Sequence, residues 1–579
     1  MKKILILFLF FVSLFAKEFK TLEFRGDIDS VSGDFTASSL YSVIGKPYPP
    51  FYTPWRDEPV FSDKELKKYK KLISEYYKSK GYYKVNISSQ VLDDKLVITI
   101  KKNSPIKIAS IKIAPDKKLK KYLPFKEGDN FTTEAFKESK KIIQRKFLEY
   151  GFPRYKFSEK AYVDIKKYRV DIDIKADKGK RVYLGKTIIS GNQNIKEAII
   201  KDALTFKEGD AYDIRELEKS FDNLYEYGVF NYIAVEPRVE EIDATKVPVD
   251  VKLKIGDTKY IKNSIGYNTD TGFRGSASWT NKNFFGDMRV FEIGIKADEE
   301  GYEVYNTFYD PYIIAPILGK VDFKNEINYH DRDYKSYVEQ GWVNRATIGK
   351  KYLGFEHHFG LLTESNTIET KVKGSEYEDG NYFLNALFYD LLLDKRDSKV
   401  NATKGYYLSL YIEKSQKPLG SDLNYLKTLL DVRYIKSFYH DKITFGIKSR
   451  VGRVDRDVPT FKRFYSGGSI YNRGYNYLEF GKKDINGVAI GGISLVDILT
   501  EVRYTVIPKF QVALFRDSSK LSLKKDDFGG DFKDSYGFGF RYISPIGPIR
   551  LDFGFPKEDR NDFVFHIGVG QVFWKRYFI

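Results

Sequence analysis

The chain has 579 residues, more than one hydrophobic core accommodates, so several domains are expected. It has no cysteine, which excludes disulfides, thiolate-bound zinc and a cysteine nucleophile. Formal net charge is +18 and 16% of residues are aromatic, yet mean hydropathy is only −0.44. The aromatics therefore alternate with polar residues and do not build apolar runs.

The first element reads as a secretory signal over residues 1–16. Lys2 and Lys3 give a positive start, 4–15 an apolar stretch, and Ala16 a small residue for cleavage. No cysteine follows, so a lipoprotein anchor is excluded. No later stretch approaches the ~18 consecutive apolar residues of a membrane-spanning helix. The mature chain is expected either to be free in the periplasm or to cross the outer membrane as a β-barrel. The basic surplus suits anionic lipid or acidic clients. Nucleic acid is set aside, because no nucleic-acid-binding module is visible.

Residues 17–258 hold an internal repeat. Phe125-Lys126-Glu127-Gly128-Asp129 recurs letter for letter as Phe206-Lys207-Glu208-Gly209-Asp210. Each copy precedes a capped amphipathic helix. Thr132 caps one, with Phe136, Ile143 and Phe147 facing inward. Asp213 and Glu216 box the other, with Ile214, Leu217, Phe221 and Leu224 on one face. Gly151 and Gly228 end these helices. A more divergent first copy has a Ser62/Glu65 capping box, a stripe of Leu66, Tyr69, Ile73 and Tyr76, and Gly81 as its stop. Strands are expected at 19–24, 83–87 and 95–100 there, and at 106–113 and 182–189 to open the next two units. A shorter helix follows the first strand of each unit, for instance 195–204. The plan is three β-α-α-β-β units, at 17–102, 103–180 and 181–258. The edge strand of such a sheet can pair with an extended chain through sequence-tolerant backbone hydrogen bonds.

From 259 to 579 the pattern changes to period two between polar turns. Ile549, Leu551, Phe553 and Phe555 alternate with Arg550, Asp552 and Gly554. Phe563, Phe565, Ile567 and Val569 alternate with Val564, His566, Gly568 and Gly570. Charges on the second face fit a polar lumen behind a lipid-facing wall. This half is read as an all-β transmembrane antiparallel barrel with 16 or 17 strand-like segments.

The longest loop-like stretch, 452–486, contains Phe464-Tyr465-Ser466-Gly467-Gly468-Ser469-Ile470-Tyr471-Asn472-Arg473-Gly474-Tyr475. Gly474 permits a tight turn. Arg473 carries a permanent five-donor charge that requires a carboxylate if buried. Phe515-Arg516-Asp517 supplies a candidate. The glycine pairs at 467–468 and 491–492 lack the Gly-Lys-Ser/Thr of a phosphate cradle.

Loop, barrel and repeats together resemble the bacterial outer-membrane assembly and secretion superfamily that includes BamA, TamA and FhaC. Its loop six folds into the barrel, and an arginine there meets the acidic residue of a Phe-x-Asp-x-Gly motif on the wall. Arg473, Gly474 and Tyr475 match the loop, and Phe515 and Asp517 match the wall, while Ser519 replaces the glycine. Glu501-Val502-Arg503-Tyr504 and Gly547-Pro548-Ile549-Arg550-Leu551-Asp552 are further marks of the family. So is the end, Gly568-Val569-Gly570-Gln571-Val572-Phe573, although 574–579 run past it. The resemblance implies POTRA units for the repeats, 16 strands for the barrel, and an Arg473–Asp517 structural lock.

Three POTRA-like units fit a TamA-like branch best. That implies help in inserting or secreting autotransporter-type barrel proteins, and a large periplasm-spanning TamB-like partner. Unfolded outer-membrane clients and outer-membrane lipid are the other expected partners. The alternatives are a BamA-like general insertase and a two-partner secretion transporter. The first strand would close on the last along a lateral seam, weakened by Gly568 and Gly570 and ending near Phe573.

No catalytic residue, cofactor or metal site is expected, and the chain is not read as an enzyme. His357 and His358 are strand neighbours pointing to opposite faces. No His-Glu-x-x-His or Gly-x-Ser-x-Gly occurs. His566 falls on the lumen face as an ordinary polar residue.

Overall fold

The structure, a computed structural model, describes residues 18–30, 33–49, 57–92, 95–240, 244–374, 379–439, 441–545, 547–558 and 562–571. The signal segment, Phe573 and the tail 574–579 lie outside the described residues.

Each repeat forms a three-stranded sheet in which the last strand is central. In the second repeat Lys107–Pro115 runs parallel to the central Arg169–Asp177, and Lys156–Asp164 pairs antiparallel on the other side. The first repeat follows the same plan with Thr21–Gly26, Lys95–Lys101 and Asn86–Leu92. The third has Tyr183–Ser190, Lys246–Ile255 and Phe230–Pro237. The central strands are buried at alternate positions because helices cover one face: Val170, Ile172 and Ile174 pack with Ile143 and Phe147 of helix Thr133–Glu149.

Several local expectations are corrected. Ser62 makes no side-chain cap; Glu65 instead accepts from Tyr69 Oη at 2.6 Å. In helix Leu66–Ser79 Tyr77, like Tyr69, is fully buried and Tyr76 only partly so; both Tyr76 and Tyr77 lie one turn from Ile73. Phe221 is 38% exposed. Ser220 takes the inward position, donating to the Glu216 carbonyl at 2.7 Å and accepting from Thr205 N at 2.9 Å. The first repeat's second strand starts at Asn86, not 83, because Tyr82 and Val85 still turn back on the helix end. The short helix of the second repeat is a 3-10 helix, Lys117–Tyr122. Thr132 caps as expected, accepting from Ala135 N at 3.1 Å.

The duplicated pentapeptide builds a turn that covers a sheet edge. Gly128 and Gly209 adopt φ of +93° and +97°, and Asp129 and Asp210 accept from Lys126 N and Lys207 N at 2.9 and 2.8 Å. The turns so formed hydrogen-bond to the outer edge of the first strand, through Ile108 and Leu184. The edge that remains is the second strand's, which has no further backbone partner among the described residues. Gly81 and Gly151, besides ending their helices, link one repeat to the next. Their carbonyls accept from Ile106 N and Val182 N, the residues that open the following repeat.

The second half is a 16-stranded antiparallel sheet in which every strand pairs with its sequence neighbours, from Lys259–Asn268 to Val564–Val569. Arg550 and Asp552 point inward and are buried, while Ile549 is 41% exposed on the outer face. Charges inside and aromatics outside are the reverse of a soluble sandwich. Phe538, Phe553 and Phe565 form an outer aromatic row with centroids 5.1 and 5.2 Å apart. The sixth and seventh strands, Tyr337–Tyr352 and Phe355–Thr370, have 16 residues each, whereas the first has 10 and the last 6. The last strand is thus the shortest of the sixteen.

Candidate functional site: the in-folded loop and the seam

The stretch 455–493 joins the eleventh strand, Ile443–Val454, to the twelfth, Ser494–Ile507, and is mostly buried. It folds back into the barrel instead of extending from it. Gly467 and Gly468, with φ of +92° and +104°, make the reversal, and Gly468 N donates to the Tyr475 carbonyl at 2.9 Å.

Arg473 is fully buried. Its Nε and Nη2 donate to Asp517 Oδ2 and Oδ1 at 2.8 and 2.9 Å, and its backbone N–H adds a third bond to Oδ2 at 3.1 Å. Its Nη1 donates to Glu501 Oε2 at 2.6 Å. Glu501 Oε2 also accepts from Arg541 Nη2 at 3.0 Å. Arg541 Nη1 stands 2.7 Å from Asp552 Oδ1 without hydrogen-bond alignment. The guanidinium lies 3.5 Å over the Phe515 ring, a cation–π contact. Four wall strands thus surround one loop side chain. Such a network requires every partner, because a buried charge stripped of its counter-charge is costly.

Small residues make the room. A Cβ on Gly537 would meet the Phe515 ring at 2.2 Å, and one on Gly539 would meet Asp552 at 2.1 Å. Gly474 is needed for close approach and not for a left-handed turn: its Cβ would stand 2.4 Å from Ser535 Cβ. Asn472 Oδ1 accepts from Ser535 Oγ at 2.6 Å beside it. Tyr475 stays outside the ion cluster and packs edge-on against Phe480, centroids 4.9 Å apart.

The loop is also tied to the opposite wall. Lys462 Nζ meets Glu364 Oε2 on the seventh strand at 2.5 Å. Lys427 Nζ donates to the Lys462 carbonyl at 3.2 Å, and Lys448 Nζ to that of Ile470 at 2.9 Å. It therefore crosses the lumen as a strut.

The seam is sparse. Among the described residues the first and last strands share one backbone hydrogen bond, Thr269 N to the Ile567 carbonyl at 3.3 Å. Ile567 N donates to Thr269 Oγ1 at 3.2 Å. Gly568 lies inside the last strand. Gly570, expected to weaken that strand from within, lies beyond it: regular pairing stops at Val569, and Gly570 adopts φ of +92°. Gln571 then turns inside the barrel. Its N–H reaches the Val400 carbonyl at 3.3 Å, and its side chain accepts from Arg541 Nε at 3.2 Å. The outer edge of Lys259–Asn268 has no backbone partner among the described residues, and Ile265 is 97% exposed.

Sequence reasoning paired Arg473 with Asp517 and left out Glu501, Arg541 and Asp552. Glu501 and Asp552 lay in marked motifs; for Arg541 the available signal was its place between Phe540 and Tyr542 in a period-two stretch. His566 is more than a generic lumen residue, since its Nε2 donates to the Arg473 carbonyl at 3.0 Å.

A family model described as the Omp85 superfamily domain matches residues 255–573. A POTRA model, described as a surface antigen variable number repeat, matches 104–179 and 182–256. The chain is 22% identical over 554 residues to outer membrane protein assembly factor BamA of Nitratidesulfovibrio vulgaris, spanning 89% of this chain and 68% of that one. BamA of Neisseria meningitidis serogroup B is 20% identical over 582 residues, spanning 86% and 71%. Among solved structures, BamA from Haemophilus ducreyi lacking POTRA domains 1–3 shares the fold at a TM-score of 0.61 and 18% identity, covering 80% of this chain and 99% of that one.

Proposed function

The chain belongs to the Omp85 superfamily, and from that premise we propose that it passes client strands into the bilayer through the seam between its first and last strands. It is an outer-membrane barrel assembly or secretion factor with its POTRA repeats in the periplasm. The observation that carries the seam reading is the unpaired edge of Lys259–Asn268, joined to the last strand near Thr269 alone among the described residues. An exposed row of peptide N–H and C=O groups is a template for another strand. In hydrocarbon each such group must find a partner, so a client that pairs there gains hydrogen bonds while it buries its outer face in lipid. The second-strand edges of the POTRA units offer the same kind of backbone pairing to a periplasmic partner or an unfolded client.

The chain is naturally free of cysteine, so a pair introduced at Thr269 and Ile567 gives a clean test. Oxidation should abolish insertion of a client barrel into vesicles, and reduction should restore it. Full activity with the seam crosslinked overturns the reading.

The three-repeat plan supports a TamA-like role, with autotransporter-type clients and a TamB-like partner. The relatives named above support a BamA-like general insertase instead. A pull-down from periplasmic extract with the full chain in detergent separates them. Capture of one very large scaffold protein favours the first, and capture of small lipoproteins the second.

A further inference from the structure

The direct seam contact involves Thr269 and Ile567, and the residue beside each is tied to the in-folded loop. Asp270, next to Thr269, accepts from Ser469 N at 3.0 Å and from Ser469 Oγ at 2.5 Å. His566, next to Ile567, donates to the Arg473 carbonyl at 3.0 Å. The two also face each other, with His566 Nδ1 3.8 Å from Asp270 Oδ1. Gly468 keeps the approach open: a Cβ there would come within 3.2 Å of Asp270 Oδ1. One loop segment, 469–473, therefore holds both sides of a seam that has a single backbone bond of its own among the described residues.

We infer that Asp270 and His566 are positioning residues through which the loop clasps the first strand to the last, so that release of segment 469–473 precedes separation of the seam. The inference rests on the seam being the client route. The loop's other ties, to Asp517, Glu501 and Glu364, lie on strands away from the seam. They fix the loop in the lumen, and Asp270 and His566 transmit that fixity to the closing edge. A partner or client that displaces the loop would thereby free the edge without acting on it directly.

Hydrogen exchange on the full chain in lipid vesicles reads this without reference to activity. Asp270→Ala removes the acceptor for both Ser469 bonds; Ser469→Ala removes only the hydroxyl; Asp270→Asn keeps an acceptor for the peptide N–H. Exchange over 265–273 and 562–568 should rise about tenfold in Asp270→Ala, less in Ser469→Ala, and return toward the parent in Asp270→Asn. The seventh strand, Phe355–Thr370, should not change. Unchanged seam exchange in Asp270→Ala overturns the clasp, and so does a uniform rise that includes the seventh strand. If Asp270→Ala does not reach the folded, heat-modifiable form, Ser469→Ala decides by the same comparison. Raised seam exchange in a protein that still inserts clients with Thr269 and Ile567 crosslinked would keep the clasp and remove the seam as client route.

Discussion

Ser519 Oγ donates to Asp497 Oδ1 at 2.6 Å, from the position where the related loop-and-wall motif carries glycine. The two residues face each other on adjacent strands, so the backbone at 519 is extended and needs no glycine. The same carboxylate accepts from Ser466 Oγ of the loop at 2.9 Å and from Arg450 Nε at 2.9 Å. Ser519→Gly therefore leaves a buried carboxylate one donor short, at a cost of about 1–3 kcal/mol. Urea unfolding in detergent micelles should show that loss, with Ser519→Thr nearer the parent.

Arg473 and Asp517 form one unit with Glu501. Each single substitution to alanine strands buried charge and should cost about 3–5 kcal/mol of barrel stability. The double variant should cost clearly less than the sum, a coupling of about 1–3 kcal/mol. Additive losses in the same unfolding assay would show that the pair does not interact.

Gly474→Ala places a methyl 2.4 Å from Ser535 Cβ. The loop must shift or Ser535 must move, at about 1–3 kcal/mol. Limited proteolysis should cut within 455–493 faster than in the parent. Ser535→Gly in the same chain should restore part of the resistance, because it removes the atom that the methyl meets but also the hydroxyl that holds Asn472.

The second POTRA unit has a pH-dependent contact. Ser139 is fully buried, and its Oγ lies 2.6 Å from the Phe136 carbonyl and 3.1 Å from Glu159 Oε2. Burial holds the Glu159 carboxyl above the usual glutamate range, against the smaller opposing pulls of Ser139 and Lys140. The folded state then keeps its proton at pH values where the unfolded chain has lost it. That contribution is complete below the ordinary glutamate value of about 4.3 and fades as pH rises through the raised folded value. Glu159→Gln should flatten this slope and unfold at a modestly higher urea concentration than the parent at pH 7, with no gain at pH 4. A Glu159→Gln gain over the parent that is the same at pH 4 and pH 7 refutes the assignment.

The sequence by itself determined the class of each half. Period-two alternation such as Ile549 to Phe555 is local, because successive strand side chains point to opposite faces whatever the partner strand. The duplicated Phe-Lys-Glu-Gly-Asp is likewise a local turn, and it marks the repeats wherever they pack. Phe221 is where that logic failed: helical spacing puts it near the apolar face, but the Thr205 amide needed a partner and Ser220 was placed inward to supply it. What only the tertiary structure decided is who meets whom across the barrel. Glu501, Asp517, Arg541 and Asp552 converge on Arg473 because four strands pair in one register; a slip of a single residue would turn each of them to the outer face. The seam has the same origin. Nothing local in Thr269 or Ile567 says that they meet, nor that Gln571 leaves the wall for Val400, since each contact depends on how far the sheet curls before its ends approach.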